Sequence, residues 1–241
     1  MPLDSRCRYR FGGDRVIVVT GGASGIGACV VVFVDIQVDV VLKVAHRPDF
    51  HLCDLTDVDG ALKPTAQNIL AEHPMVHGLI NNAAADARIP TLEITTEQWD
   101  AGLAVNLRHV FFMTQALMPA LIKAEGTGSV ISMGSITWAI PGTALMPYLA
   151  SKAAIHGMTR SLAQEFGPQG VRVNSIMPGA IATERQKRDI LIPEYEANVL
   201  SNQAIRRMLE PGDVARLALW LIADDGGAVT NQSIVCDAGW M

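Results

Sequence analysis

The segment Thr20-Gly21-Gly22-Ala23-Ser24-Gly25-Ile26-Gly27 constrains the fold of this 241-residue chain more than any other. It follows residues 15–20 (RVIVVT), a short β-branched run that reads as a buried parallel strand entering a tight turn. Six further segments read as strands: 30–35 (VVVFVD), 50–53, 78–81 (GLIN), 129–132 (SVIS), 171–176 (VRVNSI) and 233–236 (SIVC). Between the later strands lie helix-length segments with apolar residues at three- and four-residue steps, such as Leu62, Ala66, Ile69 and Leu70, or Ile155, Met158, Leu162 and Phe166. In a last helix, Pro211, Gly212 and Asp213 precede Val214, Leu217, Ala218 and Leu221, with the acidic residue at the positive helix end. Strands alternating with helices predict an α/β fold built from parallel βαβ units. No repeat or linker interrupts the pattern, so residues 1–241 read as a single domain with 1–12 a variable tail.

Composition removes several function classes. Charged residues make up 18% of the chain and the formal net charge is −5, which offers no electrostatic footprint for nucleic acid. The cysteines, Cys7, Cys29, Cys53 and Cys236, lack the close spacing of a zinc or redox site, so no metal is expected and they read as small buried hydrophobes in a reducing compartment. The longest apolar run, 28–34, is far short of a membrane span, and no apolar stretch follows Arg6, Arg8 and Arg10 as a secretory signal would need. A cytoplasmic enzyme acting on a small-molecule substrate, with neither membrane nor nucleic acid as partner, is the expectation.

A glycine segment after a strand lets the backbone approach a pyrophosphate, a feature of Rossmann-type doubly wound sheets, although a plain tight turn reads equally well from these residues alone. Asp35 ends the next expected strand, where a carboxylate can accept from both hydroxyls of an adenosine ribose and repel a 2'-phosphate, which points to NAD. Asp54, in CDLTD, could bond the adenine edge or cap a helix beginning near Asp57.

Tyr148 and Lys152 are four residues apart, a spacing that puts phenol and ammonium on one helical face. A phenol of pKa about 10 is a poor base at neutral pH, and a close ammonium stabilises its phenolate. Lowering that pKa by about three units takes roughly 4 kcal/mol. Ser135 follows the strand SVIS, where parallel sheets present functional groups, and its hydroxyl could serve a substrate oxygen.

Together, TGGASGIG, Asn81-Asn82-Ala83-Ala84, Asn106 in AVNL, Ser135, the Tyr148 and Lys152 pair, and Pro178-Gly179 resemble the short-chain dehydrogenase/reductase family in order and rough spacing over nearly the whole chain. The resemblance implies a doubly wound sheet of about seven parallel strands, hydride transfer with NAD, and assembly as a homotetramer or homodimer. It implies Tyr148 as general acid/base, Ser135 as stabiliser of the substrate oxygen, Lys152 as the group that bonds the nicotinamide ribose, and Asn106 as holder of a relay water. Gly21, Ser24, Gly25, Ile26 and Gly27 would hold the phosphates, and Asp54 and Leu55 the adenine. Asn81 and Ala83 would lie beside the cofactor, with Pro178, Gly179, Ile181 and Thr183 closing over the nicotinamide.

NLRHVFF, GSITW, Arg185-Gln186 and the terminal DAGW are further similar to the sugar 1-dehydrogenases of that family, aldose and xylose types. That resemblance implies Trp138 stacked on a sugar face and Arg88, Arg185 and Gln186 reaching its hydroxyls. Ala139 and Ala85 stand where that subgroup leads one to expect polar residues. Apolar Ile136, Ala139, Ile140 and Met146 suit instead a reductase of larger carbonyl compounds, of acyl thioester or steroid type.

One feature departs from the family. Asp35 comes only eight positions after Gly27, where an acidic ribose partner is expected about 20 residues after the glycine motif. Residues 21–29 are too few for a turn and a crossover helix, so weak NAD binding is expected of this chain as written, and a natural chain with about ten further residues here. A catalytically silent scaffold is the alternative if the helix is truly absent.

Overall fold

The computed structural model of the chain describes residues 15–22, 24–29, 33–35 and 50–241. Its strands are β1 (Ile17–Thr20), β2 (Phe33–Asp35), β3 (Phe50–Leu52), β4 (Gly78–Asn81), β5 (Ser129–Met133), β6 (Arg172–Pro178) and β7 (Ser233–Cys236). The α-helices are α1 (Lys63–Glu72), α2 (Thr96–Leu103), α3 (His109–Ile122), α4 (Met146–Phe166), α5 (Glu184–Asp189), α6 (Pro193–Asn202) and α7 (Pro211–Ile222).

The strands pair in parallel in the order β3-β2-β1-β4-β5-β6-β7. The winding direction reverses between β1 and β4, which opens a crevice at the carboxyl ends of these two strands. Strand alternation divides the core. Val18, Leu79 and Val130 face one layer with Leu62, Ala66, Leu117, Leu121 and Ala163, from the turn before α1 and from α1, α3 and α4. Their neighbours Val19, Ile80 and Ile131 face the opposite layer with Val214, Ala218 and Leu221 of α7. The Val, Leu and Ile runs of the sequence are buried on both faces for this reason.

The expected α/β class is therefore observed, with differences at strand ends. β1 starts two residues late, β5 runs one residue longer, and β6 is displaced to Arg172–Pro178. In α4 the most buried line is Ile155, Thr159 and Ala163, while Met158, Leu162 and Phe166 are half-buried, because the helix also turns Lys152 and Ser151 inward. The sequence placed no helix start at Thr95, whose side chain accepts from Gln98 N–H at 3.2 Å while the Gln98 side chain accepts from Thr95 N–H at 3.0 Å. The tail 1–12, Cys7, the start of the expected second strand and the whole second connection, 36–49, lie outside the described residues. Among the described residues no helix is long and apolar enough to cross a membrane.

Candidate active site

The end of β1 and the loop after β4 form one rigid platform. The Thr20 hydroxyl accepts from Asn82 N–H at 3.0 Å and Ala83 N–H at 3.1 Å, and the Asn82 side chain donates to the Thr20 and Gly21 carbonyls at 3.2 and 3.0 Å. Gly21 adopts φ +65°, and a Cβ there would stand 2.8 Å from Ala83 Cα. Only glycine fits both the left-handed backbone and the close approach. Gly27 is as confined, since a Cβ on it would overlap the Gly21 carbonyl oxygen.

The first two turns of α4 carry the proton-transfer candidates. Lys152 is buried, its ammonium donates to the Met133 carbonyl at 2.7 Å, and Nζ stands 5.4 Å from the Tyr148 ring centroid. Burial pushes the Lys152 pKa down to about 8, against the pull of Asp86. Burial pushes Tyr148 up to about 12; a hydrogen bond with Ser135 lowers it, Asp86 raises it, and Arg185 lowers it. The sequence leads one to expect a depressed phenol. Desolvation outweighs the Ser135 hydrogen bond, so the protein groups alone keep the phenol protonated. Ser135 follows β5 on a turn closed by its own oxygen, which accepts from Thr137 N–H at 3.2 Å and from the Thr137 hydroxyl at 2.9 Å.

Tyr148, Ser135 and Lys152 open into a cavity of about 250 Å³. Ile26 of the glycine turn closes one end, and Pro178, Gly179, Ile181 and Thr183 form the side towards β6. Arg88, Arg185 and Gln186 also line it, as expected. Thr183 caps α5 by accepting from Gln186 N–H at 3.1 Å, which fixes where that short helix starts over the cavity.

Several sequence-selected residues lie elsewhere. Asn106 sits inside a widened turn, Ala104–Arg108, and its amide is spent on the loop after β4: Oδ1 accepts from Ala85 N–H at 2.9 Å, and Nδ2 donates to the Ala85 and Gly102 carbonyls at 2.8 and 2.9 Å. Its side chain clamps that loop to the widened turn. Asn81 turns into the core, donating to Thr114 Oγ1 at 3.0 Å, and the next residue, Asn82, lines the cavity in its place. Ala83 packs on Gly21 while Ala84 faces the cavity. Trp138 lies outside it, 42% exposed and stacked on the His156 ring at 5.6 Å. The tryptophan that does line the cavity is Trp240, inside the DAGW segment already noted in the sequence.

On the adenosine side, Asp54 is exposed and one carboxylate oxygen closes a local turn, accepting from Thr56 N–H at 2.9 Å and the Thr56 hydroxyl at 2.7 Å. The helix cap is Asp57, which accepts from Gly60 N–H at 2.9 Å. The Leu55 side chain belongs to the core. Asp35 pairs with Leu52 at the end of β2, as its expected position requires, and its side chain lies outside the described residues. Ser24, Gly25, Gly21 and Gly27 form the turn behind Ile26 without lining the cavity themselves. Cys53 is buried as expected, whereas Cys236 is half-buried; both are free thiols.

Sequence reasoning missed Asp86, Thr137, Leu145 and Tyr195, all on the cavity wall. Asp86 pairs with Arg185 across the cavity, linking the loop after β4 to α5. It stands two residues beyond the NNAA segment, and no spacing in the sequence marks it out.

A phenol, an ammonium and hydroxyls gathered at the carboxyl end of a doubly wound sheet can pass a proton to or from a substrate oxygen beside a bound dinucleotide. Comparison with known proteins gives the class. A family model described as enoyl-(acyl carrier protein) reductase matches residues 26–241. The chain is 38% identical to a probable galactose dehydrogenase of Rhizobium meliloti over 244 residues, 94% of this chain and 94% of that one. It is 38% identical to D-xylose 1-dehydrogenase of Caulobacter vibrioides over 245 residues, 95% of this chain and 96% of that one. A 4-hydroxyisoleucine dehydrogenase solved with NADH superposes with a TM-score of 0.88 at 26% identity, covering 95% of this chain and 99% of that one.

The chain belongs to the short-chain dehydrogenase/reductase family, and with its dehydrogenase relatives it is an oxidoreductase acting on CH-OH groups. Its residues fit a nicotinamide nucleotide on a structural ground. Gly25 adopts φ +56° and faces Thr183, so a Cβ there would come within 3.3 Å of Thr183 Cγ2 and fill the mouth between glycine turn and α5.

Proposed function

We propose that this chain oxidises an aldose at its anomeric carbon with NAD as hydride acceptor, within one domain and as a cytoplasmic homotetramer or homodimer. The observation that carries the reading is the equal identity to a galactose and a D-xylose dehydrogenase along almost the whole chain. The polar cavity wall, with Asp86, Arg88, Thr137, Arg185 and Gln186, supports it, since each can bond a sugar hydroxyl. Neither acyl-thioester reduction nor a silent scaffold is favoured by these relatives.

In this reading Tyr148 takes the proton of the anomeric hydroxyl while Ser135 holds the same oxygen. Lys152 keeps the phenolate stable and bonds the nicotinamide ribose. The glycine turn 21–27 carries the pyrophosphate, Asp35 the adenosine ribose, and Pro178 to Thr183 cover the nicotinamide. Bound oxidised nicotinamide supplies the hydride acceptor and a positive charge next to Tyr148. Bringing Tyr148 from about 12 to about 8 takes roughly 5 kcal/mol at about 1.36 kcal/mol per unit, so catalysis in this reading is switched on by cofactor binding.

The test is a panel of D-xylose, D-galactose, other aldoses and secondary alcohols with NAD and NADP, followed by absorbance of the reduced nucleotide. The reading expects the highest kcat/KM on an aldose with NAD. Turnover of cyclic secondary alcohols alone, or a preference for NADP, overturns the substrate or the Asp35 assignment respectively.

A further inference from the structure

His109 opens α3 directly after the widened turn, where its own N–H reaches back five residues to the Ala104 carbonyl. A turn widened in this way leaves a carbonyl without its usual helical partner, and such turns gather at functional sites. The His109 side chain is fully buried, and neither ring nitrogen has a hydrogen-bonding partner. The Val105 and Ala104 carbonyls lie near the ring without hydrogen-bond geometry. The charged group acting on the ring is Lys152, carried by the helix α4 that packs on this turn. Burial, then Lys152, pushes the imidazole pKa down to about 3, so it is neutral and has one N–H to give and one lone pair to offer.

Lys152 has the complementary need. An ammonium has three donors. One goes to the Met133 carbonyl, and one is assigned above to the nicotinamide ribose. An acceptor for the third is wanted on the inner side, where the Asn106 amide is already committed to Ala85 and Gly102. Buried polar atoms of this kind are almost always satisfied, commonly by a shared water.

We propose that His109 is a positioning residue for Lys152: one ring nitrogen accepts from the lysine ammonium through a single buried water, while the other donates to a carbonyl freed by the widened turn. The site thereby keeps its cation charged and aimed at Tyr148. The other groups around the pair are Asp86, from the loop after β4, which acts on both Lys152 and Tyr148, and Arg185 of α5, which acts on Tyr148. The inference rests on the role proposed for Lys152.

The first measurement needs neither nucleotide nor sugar. In protein labelled with nitrogen-15 histidine, the His109 ring should remain in one neutral tautomer from about pH 6 to about pH 9.5. Its accepting nitrogen should shift with an inflection near the Lys152 value of about 8, and this inflection should vanish in Lys152→Met. A response flat across that range overturns the proposal. The second measurement uses D-xylose and NAD. His109→Phe keeps the ring and removes the acceptor, so the acid limb of kcat should move up by about half to one pH unit, with KM for NAD within about twofold. His109→Gln should restore the limb. An unmoved limb in the Phe variant overturns the proposal, and if that variant does not fold, the nitrogen-15 titration alone decides. Failure of the wider reading is separate, because it would show as turnover by Tyr148→Phe.

Discussion

Lys152→Met should make the folded protein more stable at neutral pH while removing its activity. The side chain is 2% exposed, and burial lowers its pKa from 10.5 to about 8. In the window between these values the unfolded chain binds a proton that the folded chain does not, so stability rises with pH there. The cost of the buried cation is fully present below pH 8 and relieved as pH climbs towards 10.5. Its size is roughly 3 kcal/mol, at about 1.36 kcal/mol per pH unit. Methionine fills a similar volume without charge, but leaves the Met133 carbonyl without its donor, a loss of about 1 kcal/mol. A net gain of about 2 kcal/mol is expected at pH 7, or about 4–8 °C in Tm for a chain of this length. Urea unfolding of both proteins at intervals from about pH 6 to about pH 10 is the assay, because wild type should close the gap only above pH 8. A variant less stable than wild type at pH 7, or a difference independent of pH, refutes the account of Lys152 as a cation held at a cost for function.

Other perturbations separate the parts of the site. Tyr148→Phe should abolish turnover with NAD affinity, read by calorimetry, nearly unchanged, since it removes the acid/base and few binding contacts. Asp86→Asn removes a charge that raises Tyr148, so the acid limb of kcat should move to lower pH, and loss of the Arg185 pair should raise sugar KM; a limb moving upward contradicts the assignment. Gly21→Val forces a β-branched side chain into φ +65° against Ala83, and about 1–3 kcal/mol of stability should be lost, measured by urea midpoint. The His109 pKa is about 3 folded and 6.5 unfolded, so wild type should lose stability as pH falls through that window, by up to roughly 5 kcal/mol, and the acid arm of the stability curve should flatten in His109→Phe.

The legible parts of this protein are those in which chain position fixes spatial position. β4 coincides with its sequence run because a strand buried on both faces is continuously apolar or small, and the half-buried edge strand β7 coincides with its run as well. Tyr148, Lys152 and Ser135 meet because one helical turn and one strand end suffice to bring them together. Orientation within a segment is harder to read. Asn81 and Asn82 are neighbours with similar chemistry, and strand alternation sends the first to Thr114 and the second to the glycine turn. Trp138 carries the chemistry of a sugar platform, yet the turn after Ser135 directs it towards His156, while Trp240, from the other end of the chain, takes the cavity wall. Asp86 and His109 act through partners distant in sequence, Arg185 and Lys152, so no local pattern marks them.

The first connection shows how the fold accommodates a departure from its family's spacing. Twelve residues separate Thr20 from Phe33, and among the described ones the helical structure is a single tight turn, Gly27–Cys29. β1 and β2 are nevertheless parallel, with Val19 opposite Phe33 and Thr20 opposite Val34. A dozen residues meet the minimum for a parallel return but leave little length for a helix besides the glycine turn. α7 packs against the Gly27–Cys29 turn, so a helix from the end of the chain borders ground that a crossover helix would otherwise share. One short turn presents fewer aligned N–H groups to a pyrophosphate than a full helix N-terminus does. The rigidity of the glycine turn therefore matters more in this chain. That rigidity comes from Thr20 and Asn82, whose hydrogen bonds tie the turn to β4. In the proposed reading, with less attraction at the phosphates, a larger share of nucleotide affinity would have to come from the nicotinamide end, through Lys152, Thr183 and the loop from Pro178. Those contacts would be the ones aligned with the reacting carbon, where binding energy acts on the transition state as well as on the nucleotide.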